Sequence, residues 1–481
     1  MAKRSFEIMA DASVSSSGGT AGLRSGPSSI SELFQFPKRM WSDLQKFHKS
    51  GARMAEQVTS HVDSGLELRT AFSGVDAPLH AVNALLTMLQ KGPEHLTYAS
   101  ACDRWAASRT VLESFPEPWR PKSVEEEICG ECVPTEIMEQ MTEKHGNFIH
   151  SKSGKKNSVR ELVAHIEGLA GMLRHLDLSP KDKGQIDKNK LQLQIVGLDC
   201  TEYSSRGLRK REGGSTLLAM VVYLCRISQM LPHLLIIEEA PEFMAHGIPL
   251  INAILGAHYS VEAVHICPSF FGFPMTRKRT WFILRLRKGC VCREPFSLES
   301  IRCYERAVCL TGDDMFLPVE AMEAKPAEKF NKGDEKRLKS QLESLSGLPS
   351  DASKTIVNVA QNFPWGHPSV LIPSLTRDSC RLWSTSRGRL MYPEEHLFSM
   401  GLLTAELKAF VNAPYGGFID LSSVSKAATM QLAGGSMNVQ VMLAVLLHAL
   451  GSTGLATFSK ASWTVQRDGG ALSRGSSSLF L

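Results

Sequence analysis

The stretch LELRTAFSG at residues 66–74 decides the fold, because it joins a strand to the turn that follows it. The pattern of its first seven residues predicts a strand, and an apolar helix is expected from Leu79 to Leu89. A glycine at such a turn lets a ligand approach the backbone, and the start of a helix offers unpaired N–H groups. The stretch therefore predicts an α/β protein with a site at the carboxyl edge of its sheet.

Three other strand-like runs each lie beside a chemically active side chain. Cys200 follows one run, Glu238 follows the next, and Arg277 and Arg279 precede a third. Open α/β proteins place their sites at the carboxyl edge of the sheet, so we expect these side chains to meet there. A thiol, a carboxylate and a pair of guanidinium groups would supply a nucleophile, an acid and an anion stabiliser.

The order and spacing of these stretches resemble the cytosine-C5 DNA methyltransferases. The matching segments, in chain order, are TAFSGVD (70–76), DCTEYS (199–204), EEAP (238–241), GFPMTRKR (272–279), RLMYPEE (389–395), followed by Met400-Gly401, and GGSMNV (434–439). Together they cover roughly residues 64 to 452. The resemblance implies an α/β fold, with a Rossmann-like S-adenosylmethionine-dependent methyltransferase sheet, an inserted segment and a smaller target-recognition domain.

The resemblance also implies roles for the four catalytic candidates. The Cys200 thiolate would add to C6 of a flipped-out cytosine, so that C5 can attack the methyl group. Glu238 would hold or protonate N3 of the base. Arg279 would contact O2, and Arg277 would brace its own loop. The implied function is a DNA (cytosine-5-)-methyltransferase that works through a covalent cysteine adduct.

S-adenosylmethionine is the implied cofactor. The residues expected around it are Phe72, Ser73, Gly74, Asp76, Asp103 and Ser436. Asp76 stands where the family has its second glycine, and it could face the ammonium group of the cofactor. Ala101 stands at the position of the glutamate that binds the ribose, and Asp103 could substitute for it.

Several residues depart from the family pattern, which keeps two other functions open. The departures are Asp76, Ala101, Asp199, Thr201, Glu239 and Gly435. One alternative is a transfer-RNA cytosine-C5 methyltransferase, because members of the same family act on that substrate. The other is a catalytically weakened protein that binds nucleic acid or a partner on the same scaffold.

A second motif has the spacing of a small zinc site. Cys129, Cys132, His145 and His150 form a C-x2-C-x12-H-x4-H pattern, in which two thiolates and two imidazoles could close a tetrahedron. The alternative is four ordinary residues at a chance spacing.

The chain divides into six parts by composition and motif position. These are a disordered tail at 1–35, an amphipathic helical segment at 36–62, a catalytic domain at 63–285 with an insertion at about 106–190, a target-recognition region at 286–388, the C-terminal part of the catalytic domain at 389–455, and a tail at 456–481. The amphipathic segment suits a packing element, and nucleic-acid contact through Lys38, Arg39 and Lys46 is the alternative.

The target-recognition region begins with a basic stretch interrupted by an aromatic residue. Its charged and aromatic members are Arg285, Arg287, Lys288, Arg293, Arg302, Tyr304 and Arg306. Such a stretch suits phosphates and bases, so DNA is the expected partner and RNA the alternative. Residues of about 323–347 are expected to form a charged stretch, either helical or disordered, that faces solvent.

Composition permits this interpretation without requiring it. The 481 residues contain 54 Lys and Arg against 49 Asp and Glu, so nucleic-acid binding would depend on local patches. Eleven cysteines and no apolar signal segment at the start indicate an intracellular protein with reduced thiols. No membrane span is expected, and a nuclear location is expected, with an organelle transit peptide as the alternative.

Overall fold

The computed structural model describes residues 23–72, 74–126, 132–150, 158–178, 190–198, 216–318, 330–343, 354–361, 368–377 and 380–456. Its centre is a seven-stranded sheet. The strands are β1 (Leu66–Ala71), β2 (Leu96–Cys102), β3 (Val124–Glu125), β4 (Leu191–Gly197), β5 (Leu234–Glu239), β6 (Tyr259–Ile266) and β7 (Arg279–Leu286).

The strand order is β3-β2-β1-β4-β5-β7-β6. Strands β3, β2, β1, β4 and β5 are parallel to one another, and β7 runs antiparallel to its two neighbours, β5 and β6. The order reverses between β1 and β4, which is the position where doubly wound sheets bind their ligands. The α/β fold class with a Rossmann-like sheet, predicted from the sequence, is confirmed.

The central strands are apolar because both faces of the sheet are covered. All six residues of β5 are buried, as is usual for a parallel strand between two helical layers. The helices are α1 (Ile30–Leu33), α2 (Phe36–Phe47), α3 (Gly51–Ser64), α4 (Ala77–Met88), α5 (Ala106–Ser114), α6 (Thr135–His150), α7 (Val159–Leu173), α8 (Thr216–Met230), α9 (Met244–Leu255), α10 (Leu298–Ile301), α11 (Lys332–Glu343), α12 (Pro393–Phe398), α13 (Ala405–Phe410), α14 (Lys426–Gly435) and α15 (Val439–Ser452). Residues of α2, α3, α4 and α15 cover one face, and residues of α7, α8 and α9 cover the other.

The N-terminal segment packs against the catalytic domain. Met40 and Leu44 of α2 and Val58 of α3 are buried, so the packing role expected for residues 36–62 is observed. The predicted tail is too long, because Leu33 and Phe34 are also fully buried. Large apolar side chains of this kind stabilise an ordered segment when they find a partner.

The predicted insertion at about 106–190 is partly a regular part of the fold. The chain after α5 forms β3, which pairs with β2 and extends the sheet. Helices α6 and α7 then lie in the crossover between β3 and β4, and α7 packs against α8 and α9. The long spacing before Cys200 therefore reflects an extended crossover as well as added residues.

The predicted boundary of the target-recognition region at residue 286 is too early. Strand β8 (Cys290–Cys292) pairs with β12 (Thr453–Leu455) and so belongs to the catalytic domain. A separate three-stranded sheet is formed by β9 (Ile356–Asn358), β10 (Leu382–Ser384) and β11 (Arg389–Leu390). Helix α11 packs on it through Leu338 and Leu342, so this part of the charged segment is not simply solvated.

Residues Lys426–Ser452 have the length and apolar composition of a membrane span, contrary to expectation. In their most apolar window, 94% of the residues are buried inside the protein. Helix α14 also ends at Gly435 before α15 begins at Val439. The apolar surface of this segment is therefore already covered by protein.

Candidate active site at the carboxyl edge of the sheet

An ion pair joins two of the predicted catalytic residues. Oε1 of Glu238, near the end of β5, lies 3.0 Å from Nε of Arg279, the first residue of β7. Because β7 is antiparallel to β5, its beginning lies at the same edge as the end of β5. The two side chains are only 10% and 16% exposed, so little water screens their attraction.

Gly197, the last residue of β4, brings three of the motifs together. A Cβ atom at this position would lie 2.8 Å from the carbonyl oxygen of Phe72, 3.1 Å from Cε of Met437 and 3.7 Å from Oε2 of Glu238. Cys200 follows three residues later and lies outside the described residues. The strand that leads to Cys200 therefore ends beside Glu238, as the sequence predicts.

Arg277 is a buried brace for the loops around the site. Its Nη1 donates to the carbonyl oxygen of Leu375 at 2.7 Å, and its Nη2 donates to those of Gly434 and Ser436 at 3.0 and 2.9 Å. A charged donor with three carbonyl acceptors fixes all of these segments at once. The geometry agrees with the bracing role expected from the sequence.

Glu239, where the family has asparagine, faces the protein interior. The residue is 1% exposed, and its Oε2 accepts a hydrogen bond from the backbone N–H of Ala240 at 2.8 Å. The carboxylate caps the chain after β5, but it does so inside the protein and not in water.

The glycine turn after β1 is formed as expected, apart from Ser73, which lies outside the described residues. Phe72 packs edge-on against Tyr223, with 5.8 Å between the ring centroids. Gly74 has a φ of +67°, a conformation that favours glycine. A Cβ at Gly74 would lie 2.7 Å from Oγ of Ser436, so the C-terminal motif closes directly over the turn.

Ser436 has a structural role in this arrangement. It is fully buried, and its hydroxyl donates to the carbonyl oxygen of Leu432 at 2.7 Å. The same oxygen accepts a long hydrogen bond of 3.4 Å from the N–H of Val75. The residue lies beside the expected cofactor turn, but its hydroxyl is already used by the protein.

Asp76 does not face an open cofactor position. It is fully buried and is the N-cap of α4, with its Oδ1 accepting from the N–H of Leu79 at 3.3 Å. Its other oxygen accepts hydrogen bonds from the hydroxyls of Thr70 and Tyr98. The expected contact with the cofactor ammonium group is therefore replaced by a capping role.

Asp103, directly after β2, is also engaged by the protein. It is 3% exposed and accepts hydrogen bonds from the N–H groups of Trp105 and Gly74. Burial raises the pKa of Asp103, and the Trp105 hydrogen bond and the positive charge of Arg377 oppose that rise. A carboxylate has about four acceptor positions, so little of it remains for a ribose hydroxyl.

Arg377 lies beside Asp103 and the C-terminal motif, and the sequence analysis did not identify it as a residue of the site. A Cβ at Gly435 would lie 3.0 Å from Nε of Arg377, so the guanidinium lies over the C-terminal motif. Arg377 belongs to a stretch that matches no family motif, so no sequence signal could have found it. The Gly74 turn is compatible with bound S-adenosylmethionine. The position expected to bind its ribose is not, because the Asp103 carboxylate is already engaged by the protein.

The predicted zinc site is contradicted at its two histidines. His145 is buried, and its Nδ1 lies 3.1 Å from Nε2 of His165 on the next helix. His150 is exposed, and its Nδ1 donates to the carbonyl oxygen of Gly146 at 2.7 Å. The two imidazole rings thus use different partners, one on the neighbouring helix and one on their own helix, and the structure does not bring them to one metal position.

The two cysteines of the zinc motif cannot be compared in the structure. Cys132 is described, but Cys129 lies outside the described residues. Within the described part of the chain, no group of three or more His, Cys, Asp and Glu side chains could hold a metal ion.

Part of the predicted basic stretch serves internal ion pairs. Arg306 binds Asp43 of α2 with two hydrogen bonds of 3.0 and 2.7 Å, and Tyr304 is 2% exposed. Arg285 is 1% exposed and pairs with Glu262. The stretch is therefore divided in its roles. Arg285, Tyr304 and Arg306 serve packing and internal ion pairs, whereas Arg287, Lys288, Arg293 and Arg302 are exposed.

Comparisons with known proteins give structural similarities alone. No protein-family model matches the chain, and no curated protein matches it. Among solved structures, it is similar to the S. pombe Dnmt2 methyltransferase, with 11% sequence identity and a TM-score of 0.41, over 79% of this chain and 97% of that one.

Two further structures show the same degree of similarity. A putative DNA modification methyltransferase encoded within a prophage of E. coli has 13% identity and a TM-score of 0.44, over 80% of this chain and 98% of that one. The Entamoeba histolytica methyltransferase EhMeth has 11% identity and a TM-score of 0.38, with 80% and 98% covered. At such low identity, the function has to be taken from the residues of the site.

Proposed function

We propose that the protein is a DNA (cytosine-5-)-methyltransferase, which transfers a methyl group from S-adenosylmethionine to C5 of cytosine through a covalent adduct with Cys200. The observation that carries this proposal is the Glu238–Arg279 ion pair beside Gly197, three residues before Cys200. A carboxylate, a guanidinium and the end of the strand that precedes Cys200 thus share one edge of the sheet. DNA as partner and a nuclear location follow from the same proposal.

The ion pair suits the charge changes that cytosine undergoes in this reaction. Addition of a thiolate to C6 places negative charge on N3 and O2 of the ring. The Glu238 carboxyl group would hold or protonate N3, and Arg279 would bind O2. Both side chains are largely buried, and their electrostatic effect on a bound base would be stronger than in water.

Cys200 would also need help to ionise, because a free cysteine has a pKa of about 8.5. Asp199 precedes it where the family has proline, and a neighbouring carboxylate disfavours the thiolate. A guanidinium near the sulfur would favour the thiolate and so oppose the effect of the Asp199 carboxylate, and Arg279 is the proposed source of that positive charge. The rate of the addition step is therefore expected to depend on Arg279 as well as on Cys200.

A second candidate function is supported by the cofactor side of the site. Asp76 and Asp103, the two acidic residues expected at the cofactor, use their carboxylates within the protein. This favours a protein that keeps the base-binding half of the scaffold and binds nucleic acid or a partner without transferring methyl groups. Transfer RNA remains an alternative substrate, because the same base-binding residues would act on either polymer.

One assay separates these functions. Purified protein is incubated with labelled S-adenosylmethionine and either duplex DNA or total RNA, and the labelled nucleoside is identified. The variants are Cys200→Ser and Glu238→Gln. The controls are Cys292→Ser and Glu242→Gln, which change exposed residues of the same types.

Labelled 5-methylcytosine in DNA, lost in both site variants and kept in both controls, is the expected result. The same product in RNA alone would replace DNA with RNA as the substrate. No transfer to either polymer, together with no cofactor binding by calorimetry, would contradict the proposed methyltransferase activity. It would support the alternative of a protein that binds nucleic acid or a partner without catalysis.

A further inference from the structure

The backbone of Arg377 is fixed against the C-terminal motif. A Cβ atom at Gly434 would lie 2.5 Å from the carbonyl carbon of Thr376 and 2.7 Å from the backbone nitrogen of Arg377, so the peptide bond between these two residues packs directly on the glycine. One residue earlier, the carbonyl oxygen of Leu375 accepts the 2.7 Å hydrogen bond from Arg277. The segment that carries the Arg377 side chain is therefore held at two successive points.

The guanidinium group of Arg377 lies close to the glycine turn after β1. A Cβ atom at Gly435 would lie 3.0 Å from Nε and 3.4 Å from Nη2 of Arg377. In turn, a Cβ atom at Gly74 would lie 3.4 Å from the carbonyl carbon of Gly435. A single glycine of the C-terminal motif thus separates the guanidinium from the turn at which the cofactor is expected.

The donors of this guanidinium are available to a ligand. Arg377 is half-buried, and its side chain makes no hydrogen bond or ion pair with the residues that the structure describes. None of its nitrogens is among the enclosed polar atoms of that part of the chain, so solvent reaches them. Arg277 and Arg279, by contrast, already donate to carbonyl oxygens and to the Glu238 carboxylate. A charged group with five free donors favours an anionic acceptor.

The charges around Arg377 favour a zwitterion over a simple anion. Asp103 accepts a hydrogen bond from the N–H of Gly74, and it is close enough to Arg377 for the two charges to attract each other. A phosphate group carries only negative charge, so Asp103 would repel it. The amino-acid end of S-adenosylmethionine carries a carboxylate and an ammonium group. Each of these two charges would therefore find an opposite charge nearby.

We infer that Arg377 binds the carboxylate of S-adenosylmethionine and so determines which adenosyl compounds the site accepts. The inference rests on the proposed function, because it concerns the cofactor of that reaction. A guanidinium group matches a carboxylate with two parallel hydrogen bonds, which are stronger than hydrogen bonds between neutral groups. The contact would hold the amino-acid end of the cofactor, whereas the ribose finds no free carboxylate at Asp103.

The test measures ligand affinity of the full-length protein by calorimetry with two probes. These are S-adenosylmethionine and its decarboxylated analogue, which lacks only the carboxylate. The wild-type protein is expected to bind the analogue about tenfold more weakly, because the analogue loses the charged hydrogen bonds to Arg377. This comparison uses the unaltered chain, so it does not depend on how any variant folds.

Arg377→Gln should remove the preference between the two probes. The variant is expected to bind S-adenosylmethionine about tenfold more weakly. Its affinity for the analogue should be unchanged or slightly higher, because the analogue carries only positive charges and the variant no longer repels it. Arg377→Lys keeps the charge without the planar donors and should retain part of the preference. Arg53→Gln, which changes a 52% exposed arginine on α3, should keep all of it.

Equal affinity of the wild type for the two probes would overturn the inference and leave the proposed function standing. The same holds if Arg377→Gln and Arg377→Lys weaken both probes by one factor. A titration with a short DNA duplex adds a further outcome. If Arg377→Gln weakens DNA binding and leaves the affinity for S-adenosylmethionine unchanged, the guanidinium binds a phosphate and the inference is wrong. No binding of either probe to the wild type would instead contradict the proposed cofactor, and with it the inference.

Discussion

Glu238 and Arg279 form an ion pair of 3.0 Å between the end of one strand and the start of its antiparallel neighbour. This relationship depends on the reversal of β7, because a parallel strand would begin at the opposite edge of the sheet. The pair is mostly buried, so each partner stabilises the charge of the other. Both the stability of the sheet edge and the binding of a base should depend on it.

Replacing Arg279 by alanine should destabilise the protein and abolish methyl transfer. The change leaves the Glu238 carboxylate largely buried without its partner, which costs about 2 kcal/mol or more in the free energy of unfolding. Urea unfolding measures the loss. Arg287→Ala, at an exposed position, should change stability by about 0.5 kcal/mol or less. An Arg279→Ala protein as stable and active as the wild type would contradict both roles of the pair.

Adding a single methyl group at Gly197 should disrupt the site. The new Cβ of Gly197→Ala would lie 2.8 Å from a backbone oxygen, which cannot move as easily as a side-chain tip. Overpacking of this kind costs about 1–3 kcal/mol, and the shift of Phe72 or Glu238 should also lower activity.

The matched control for that substitution is Gly171→Ala in α7, where a Cβ would meet nothing within 4 Å. This change should raise stability by about 0.5–1 kcal/mol, because alanine favours a helix more than glycine does. Similar thermal unfolding of the two variants would show that the close contacts at Gly197 are not limiting.

Substitutions at Asp76 should affect folding before they affect any ligand. Asp76→Ala removes the N-cap of α4 and the acceptor for two buried hydroxyls, with an expected loss of about 2–3 kcal/mol. Asp76→Asn should cost less, because asparagine can cap a helix and tolerates the φ of +62° at this position. Urea unfolding ranks the two variants. Loss of cofactor binding in Asp76→Asn at unchanged stability would restore the role expected from the sequence.

Acid should unfold the protein through its buried histidines. His80 is fully buried against Phe418, and burial lowers its pKa to about 3. In the unfolded chain the same ring titrates near pH 6.5, so between these values the unfolded state binds the extra proton. Stability is therefore lost as pH falls below about 6.5, by about 1.4 kcal/mol per pH unit for each such group. His396 and His448 act in the same direction.

The variant His80→Phe keeps the ring stacking and removes the titration. Its free energy of unfolding, measured in urea between pH 7 and pH 4, should fall less steeply with acid than that of the wild type. His150→Gln, at an exposed position, should keep the wild-type slope. Parallel pH profiles for His80→Phe and the wild type would show that this histidine does not control acid stability.

The sequence predicted the strand ends well because their signals are local. The apolar run of β5 followed by Glu238, and the arginines before β7, each occupy only a few consecutive residues. Strand direction then brings them to one edge. The resemblance implied a Rossmann-like sheet, and the buried central strands agree with parallel pairing beneath two helical layers.

What the sequence did not predict depends on contacts between distant residues. Whether Asp103 is open to a ligand depends on Gly74 and Arg377, and neither of these partners follows from the residues around position 103. Likewise, Arg306 looked suited to nucleic acid because Asp43, its partner, lies 263 residues away in the chain. Charge patterns reveal which side chains are available, but only the fold shows which of them are already paired.

Arg285 has a consequence for how the chain can be synthesised and divided. Its buried guanidinium is held by Glu262 and by the hydroxyls of Ser452 and Thr453, and Thr453 follows it by 168 residues. During translation, β7 therefore leaves the ribosome long before two of the three partners of its central charge exist. The seven-stranded sheet can reach its final form only after the three-stranded sheet has been made and the chain has returned. Fragments that end before Ser452 should consequently aggregate or be degraded, whereas no strand of the three-stranded sheet pairs with Thr453.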